Sequence, residues 1–320
     1  MNLLKQKYTL PAGKIDLTSF GEVLVDLITT GEDMALAKAT LFQRYFGGAA
    51  ANVAINMKKL DNKCALISRV GDDSLGQYLK NILVKEKINI EGLQCDPTRR
   101  TPLILVNKSK KTPSWLPYRG ADRYIEDKEI NYRLIKNSKI FFLTTFILSQ
   151  KPSRTTALRA LDYALQEDKI IAFDPCYRPQ LWPEENNGYQ LVKRIIGTAD
   201  FIKPSLDDAH SFFGPDTPEN YLQRYLKLGA KIVILTMGEA GVLAGDEKTT
   251  IRIPIYPTTA VDVTGAGDSF WAGFMTGILS GFTVERSIKL GSGTAAYKVK
   301  NIGALSPIPG KEEIISSFNI

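Results

Sequence analysis

The sequence holds one histidine, His210, and three cysteines, Cys64, Cys95 and Cys176, among its 320 residues. A lone histidine excludes a histidine-rich metal site and argues against a Ser/His/Asp or Cys/His relay. The cysteines lie far apart with no Cys-x-x-Cys pair, so neither a zinc cluster nor a disulfide framework is expected. That usage reads as reducing cytoplasm. No stretch reaches ~18 uninterrupted apolar residues, so no membrane span is expected. The opening MNLLKQKYTL lacks the apolar run of a signal peptide. Internal repeats and low-complexity linkers are missing as well.

Lys and Arg outnumber Asp and Glu to give a net charge of +7. The basic residues are spread out, and the densest cluster is Lys108, Lys110 and Lys111. No aromatic-interleaved basic stripe of the single-strand-binding kind occurs, so nucleic acid is not an expected partner. A basic surface repels its own copies and suits anionic small molecules.

What is present is ordinary globular material, with 44% apolar and 23% charged residues. Its length allows one large domain or two smaller ones. Short apolar runs read as strands at Leu17–Leu27, Cys64–Val70, Ile140–Thr144, Ile170–Asp174, Phe201–Lys203 and Ile232–Met237. Amphipathic stretches separate them at Ala50–Leu60, Leu75–Glu86, Arg154–Glu167 and Tyr221–Leu228. Strand and helix in alternation predict an α/β fold, a mostly parallel sheet sandwiched by helices. Residues 28–46 and 94–123 break this rhythm and read as a small β-strand lid inserted into a core of 1–27, 47–93 and 124–320. A lid beyond the carboxyl ends of the strands would close over a ligand there.

The most informative segment runs from Val261 to Phe274. After Asp268 the pattern turns helical, with Phe270, Phe274 and Ile278 on one face and small Ala272, Gly273 and Gly277 permitting close packing. Gly265, Ala266 and Gly267 therefore sit at a helix N-terminus, where bare amides and the helix dipole favour an anion. A carboxylate beside such an anion hole serves phosphate binding poorly. Asp268 makes sense there as a base that accepts a proton from an attacking hydroxyl. By itself, a Gly-x-Gly-Asp is more often a capped helix start. The segment lacks the Gly-Lys-Ser/Thr of a Walker loop.

Asp262-x-Thr264-Gly265-Ala266-Gly267-Asp268-Ser269-Phe270, followed by Ala272-Gly273, resembles the C-terminal signature of the ribokinase-like (PfkB) carbohydrate kinases. Gly47-Gly48-Ala49-Ala50-Ala51-Asn52-Val53-Ala54 resembles the glycine signature near the start of that family. Gly21-Glu22-Val23-Leu24-Val25-Asp26, Gly71-x-Asp73-x-x-Gly76, Thr236-x-Gly238-x-x-Gly241 and Gly303-Ala304-Leu305-Ser306-Pro307 extend the resemblance over most of the chain. It implies a ribokinase-like fold, ATP and Mg²⁺ as cofactors, Asp268 as catalytic base and Gly265–Gly267 as its anion hole. It also implies that Asp26, Gly47, Gly48 and Asn52 hold the sugar, a role their short polar groups and bare backbone suit physically.

Further roles follow from the same resemblance. Tyr118, Arg119 and Arg178 would face the substrate, and Lys203, Ser205, Thr236, Gly238 and Gly241 the nucleotide. Asp208 would reach Mg²⁺ through water, and Asp262 and Thr264 would form a monovalent cation site for K⁺. Within the family, the diglycine segment is closest to fructokinases, which implies phosphorylation of fructose to fructose 6-phosphate. A 2-keto-3-deoxygluconate kinase is the runner-up, and a non-catalytic sugar or nucleotide sensor is the reading from another class. The expected partners are a small-molecule sugar and ATP, with a homodimer formed through the lid.

Overall fold

In the computed structural model, which describes residues 3–108, 114–182 and 188–320, two sheets carry the chain. Their strands are β1 (Ile15–Phe20), β2 (Leu24–Glu32), β3 (Phe42–Gly47), β4 (Cys64–Gly71), β5 (Asn89–Asp96), β6 (Leu103–Lys108) and β7 (Trp115–Tyr118). They continue with β8 (Ser138–Thr144), β9 (Ile170–Asp174), β10 (Phe201–Ile202), β11 (Ile232–Thr236), β12 (Val242–Gly245) and β13 (Thr250–Ile253). Lys110 and Lys111 of the basic cluster lie outside the described residues.

The large sheet has nine strands in the order β13-β12-β11-β10-β9-β8-β1-β4-β5. Every pairing from β11 to β5 is parallel, and the β11-β12-β13 edge is an antiparallel meander. Central strands such as Ile170–Asp174 are apolar on both faces, as a sheet covered twice demands. One buried cluster, with Ile140, Phe142, Phe201, Trp271 and Phe274, fills the side of the Ala49–Lys59 and Ala266–Leu279 helices. The other, with Phe141, Leu143, Phe173, Tyr221 and Tyr225, fills the side of the Ser153–Gln166 and Pro218–Lys227 helices. The Ala266–Leu279 helix packs tightly on the Val284–Lys298 helix. A Cβ on Gly273 would lie 2.3 Å from Thr294 Oγ1, so glycine there sets the approach. No helix among the described residues is long and apolar enough to cross a membrane.

The small sheet, β3-β2-β6-β7, stands apart from the large one. The apolar run expected as one strand over Leu17–Leu27 is in fact two. The chain leaves the large sheet after Phe20, turns through Gly21–Val23 and enters the small sheet at Leu24. Alternation cannot reveal this break, because residues 17–25 are buried without interruption on both sides of it. Asp26 thus belongs to the lid rather than to the expected core segment 1–27, because the first lid strand starts at Leu24, four residues before the expected boundary at 28. Conversely, Gln94–Asp96 pair with β4 and belong to the large sheet. Asp73 ties the two parts together: it caps the Ser74–Lys85 helix through the Leu75 and Gly76 amides. Its carboxylate also accepts from the Thr101 amide and hydroxyl, each at 2.8 Å, just before β6.

Candidate active site

Four turns meet where the parallel strands end, the usual ligand position in such sheets. Asp268 stands in the first turn of the Ala266–Leu279 helix, whose cap, Gly265, is left-handed at φ 75°. Asn52, in the first turn of the Ala49–Lys59 helix, donates through Nδ2 to Asp268 Oδ2 at 2.9 Å. Asn56, one turn on, reaches Ser269 Oγ at 3.1 Å. The two glycine motifs are therefore one structure. Burial raises the Asp268 carboxyl above its ordinary value, against the Asn52 bond and the charges of Lys203 and Lys298.

One expected donor is lost. The Ala266 amide donates to Val263 O at 3.0 Å, closing the turn that places the helix. The amides of Gly267 and Asp268, with no carbonyl four residues back inside the helix, are the ones left with Gly265 to meet an anion. Lys203 follows β10 and is 4% exposed, yet no carboxylate among the described residues ion-pairs with it. A Cβ on Gly267 would lie 3.3 Å from its Nζ. An unpaired ammonium beside an open helix N-terminus is an arrangement that suits an anion.

On the other side lies Asp26. A Cβ on Gly47 would come within 2.2 Å of Asp26 Oδ2, so only glycine lets that carboxylate lie on the backbone of β3. Gly48 has φ 100°, and a Cβ there would strike Glu22 O at 2.5 Å. Burial raises Asp26 to about 7, helped by the nearby charges of Asp268 and Glu22. Glu22, which the motif reading quoted but assigned nothing, is buried. It accepts from Ala49 N at 2.9 Å and Thr144 Oγ1 at 2.7 Å. Burial raises it to about 7.

Of three residues expected at the sugar, Tyr118 faces away from Asp26, and Arg119 and Arg178 are engaged by other side chains. Pairing puts Tyr45, Asp26, Ile104 and Pro117 in one row across the lid, and Phe46, Val25, Leu103 and Tyr118 in the next. Neighbouring rows face opposite sides, so Tyr118 points away from Asp26. The Arg119 guanidinium is held by Asp122, by Ser149 Oγ at 2.7 Å and over the Phe146 ring at 4.0 Å. Only its Nη2 lacks a partner among the described residues. Arg178 bonds Asp208 Oδ1 at 2.6 Å.

Asp208 is correspondingly engaged rather than open to a metal. Its Oδ2 accepts from Ser205 N at 2.9 Å and Ser205 Oγ at 2.6 Å, forming a capping box. Against burial, Arg178 and Ser205 hold its carboxyl below the ordinary value. The carboxylate with room is Asp174 at the end of β9, which sequence reading quoted without a role. Its Oδ1 is buried without a partner, and burial raises the group to about 7 despite Lys203. An aspartate closing an otherwise apolar parallel strand was the available signal. Thr236 ends β11 with its amide on Pro204 O at 3.0 Å. Gly238 and Gly241, at φ 56° and 87°, close the following turn beside Lys203-Pro204-Ser205.

Beside the Gly265–Gly267 turn, Asp262 accepts from Thr264 N at 2.9 Å and Gly303 N at 2.7 Å. Lys298, wholly buried, donates to Asp262 O at 2.8 Å and lies 3.6 Å from Asp262 Oδ2. Burial would raise Asp262, but these amides and Lys298 hold it below its ordinary value.

The chain matches the description "pfkB family carbohydrate kinase" over residues 14–311. The chain belongs to that family. This kinase is 40% identical over 311 residues to the ATP-dependent 6-phosphofructokinase of Thermoanaerobacterium thermosaccharolyticum, covering 96% of this chain and 95% of that one. The structure of Halothermothrix orenii fructokinase is similar with a TM-score of 0.81 and 51% identity, over 89% of the kinase and all of that chain. A Pyrococcus horikoshii sugar kinase, solved in complex with ATP, matches with a TM-score of 0.82 and 30% identity over 94% and 97%. The fold is the ribokinase-like one, and the kinase is an ATP-dependent sugar kinase. Among the described residues no cluster of three or more His, Cys, Asp or Glu side chains is arranged to hold a metal ion.

Proposed function

We propose that the kinase transfers the γ-phosphoryl group of Mg·ATP to a hydroxyl of fructose, forming fructose 6-phosphate. One observation carries the reading: Asp268, backed by Asn52, stands between the lid carboxylate Asp26 and the unpaired ammonium of Lys203. A base, a polyol-binding group and a phosphate-binding group therefore converge. The similarity to Halothermothrix orenii fructokinase supports the choice of sugar.

Asp26 and the Gly47–Gly48 backbone hold the sugar hydroxyls, and the lid sheet that carries Asp26 excludes water. Asp268 takes the proton of the acceptor hydroxyl, with Asn52 fixing the carboxylate's orientation. Lys203 and the amides of Gly265, Gly267 and Asp268 receive the charge on the phosphoryl oxygens. Thr236, Gly238 and Gly241 shape the floor under the nucleotide. Mg²⁺ entering with ATP would supply charge neutralisation at the phosphates. Asp174, with its unpartnered oxygen, replaces Asp208 as the carboxylate suited to reach that ion through water. On the lid's other face, Leu103, Leu105 and Leu116 join Tyr118 in an apolar patch that suits a homodimer, measurable by light scattering.

A second acceptor, fructose 6-phosphate, is favoured by the 40% identity to a 6-phosphofructokinase. ADP release with Mg·ATP against fructose, fructose 6-phosphate, 2-keto-3-deoxygluconate, ribose, glucose and adenosine tests both. Fastest turnover with fructose upholds the reading. Fastest turnover with the phosphate ester or the keto acid replaces it, and silence across the panel would leave a sensor.

A further inference from the structure

We infer that the Lys298 ammonium is the resident cation of the Asp262–Asp268 turn, so that the kinase needs no K⁺ or other monovalent ion there. The inference rests on reading that turn as the phosphate site.

Lys298 ends the Val284–Lys298 helix, and its side chain is 0% exposed. A lysine ammonium is almost never fully buried without several oxygen partners. Here it donates to Asp262 O at 2.8 Å and approaches Asn301 O at 3.5 Å, with Asp262 Oδ2 at 3.6 Å. Two carbonyls and a carboxylate around one positive charge are the hard-oxygen shell that a monovalent metal ion would take. Of the Asp262 oxygens, the carbonyl O and Oδ2 face Lys298 and Oδ1 accepts from the Thr264 amide. A second cation beside the ammonium would meet like-charge repulsion in a buried, poorly screened place.

The charge sits where it organises the catalytic turn. Asp262 passes the constraint to both neighbouring loops through the Thr264 and Gly303 amides. A Cβ on Gly265 would lie 2.8 Å from Ala304, so the Gly303–Ala304 loop is the wall against which the helix start rests. The Lys298 carbonyl accepts from Ser306 Oγ at 3.3 Å, and Lys59 Nζ holds Leu305 O at 2.9 Å, fastening that wall from behind. Lys298 also favours the ionised form of Asp268, the charge state a base requires. Lys298 is thus a positioning residue, acting through Asp262 on the amides of Gly265 and Gly267.

The test compares KCl, NH₄Cl and choline chloride at equal ionic strength, reading kcat, Mg·ADP affinity and melting temperature. The wild type should give the same values in all three salts. Lys298→Ala in choline should lose kcat and Mg·ADP affinity, each by roughly tenfold or more. K⁺ or NH₄⁺ should restore much of both and raise the melting temperature, because either ion enters the vacated oxygen shell. Lys298→Met, which fills the space without charge, should show the loss without the rescue. A wild type stimulated tenfold by K⁺, or a Lys298→Ala protein as good as wild type in choline, would overturn the inference. If that variant fails to fold, the wild-type salt series decides alone. Calorimetry and melting need no sugar, so lack of turnover with every acceptor would end the kinase mechanism above and leave the ion test readable.

Discussion

Asn52 Nδ2 donates to Asp268 Oδ2 at 2.9 Å across 216 residues of sequence. The bond joins two helix N-termini, so the carboxylate is oriented by one helix while it stands in the first turn of the other. Most of the testable chemistry follows from that placement.

Asp268→Asn should lower kcat by ~10²–10⁴-fold, the usual worth of a positioned base. Mg·ADP affinity by calorimetry should stay close to wild type, because Lys203 and the amides remain. The raised carboxyl also places the acid limb of the wild-type kcat/KM profile above the ordinary 3.8 of an aspartate. Near-normal kcat in the variant would remove Asp268 from the role.

Lys203→Met should weaken Mg·ADP binding by on the order of 10–100-fold, the worth of a lost charge-assisted contact. Thermal stability should hold, since no carboxylate among the described residues loses an ion-pair partner. Unchanged nucleotide affinity would mean that the ammonium serves the fold alone.

Asp26 gives a pH signature. Its folded value of about 7 exceeds the ordinary 3.8, so the folded state binds this proton more tightly than the unfolded one. Stability from this group is present below the unfolded value and is lost as pH rises through the folded one. Asp26→Asn should therefore raise the melting temperature relative to wild type at pH 8 but not at pH 3.5, while the KM for fructose increases. An equal shift at both pH values would show that ionisation of Asp26 is not the cause.

Gly47→Ala puts a methyl group 2.2 Å from Asp26 Oδ2. Overpacking of this kind costs about 1–3 kcal/mol. The carboxylate must shift, so the KM for fructose should rise with Mg·ADP affinity retained. Parallel losses of both affinities would point to collapse of the whole site instead.

Much of this was legible in the residues. The anion turn before Asp268 shows in the glycine spacing and in the helical period after it. The diglycine before Asn52 shows in the same way, because both are local backbone requirements. The strand Ile170–Asp174 was readable to the residue. The split of Leu17–Leu27 was not, because a continuously buried stretch carries no mark of which sheet each part joins. The facing of Tyr118 was hidden too, since it depends on the register of β6 against β7.

The sequence by itself therefore determined the alternating α/β order, the two glycine turns and the residue types, Asp268, Asn52 and Gly265–Gly267, that the proposed mechanism uses. Those features depend on neighbours within a few positions, where sterics and hydrogen bonding are set along the chain. Only the tertiary structure decided which charges pair and which stay open. Arg178 closes onto Asp208, Lys203 and Asp174 remain available, and Lys298 enters the oxygen shell of Asp262. Each of these is a contact between segments remote in sequence, fixed by how the helices pack on the sheet.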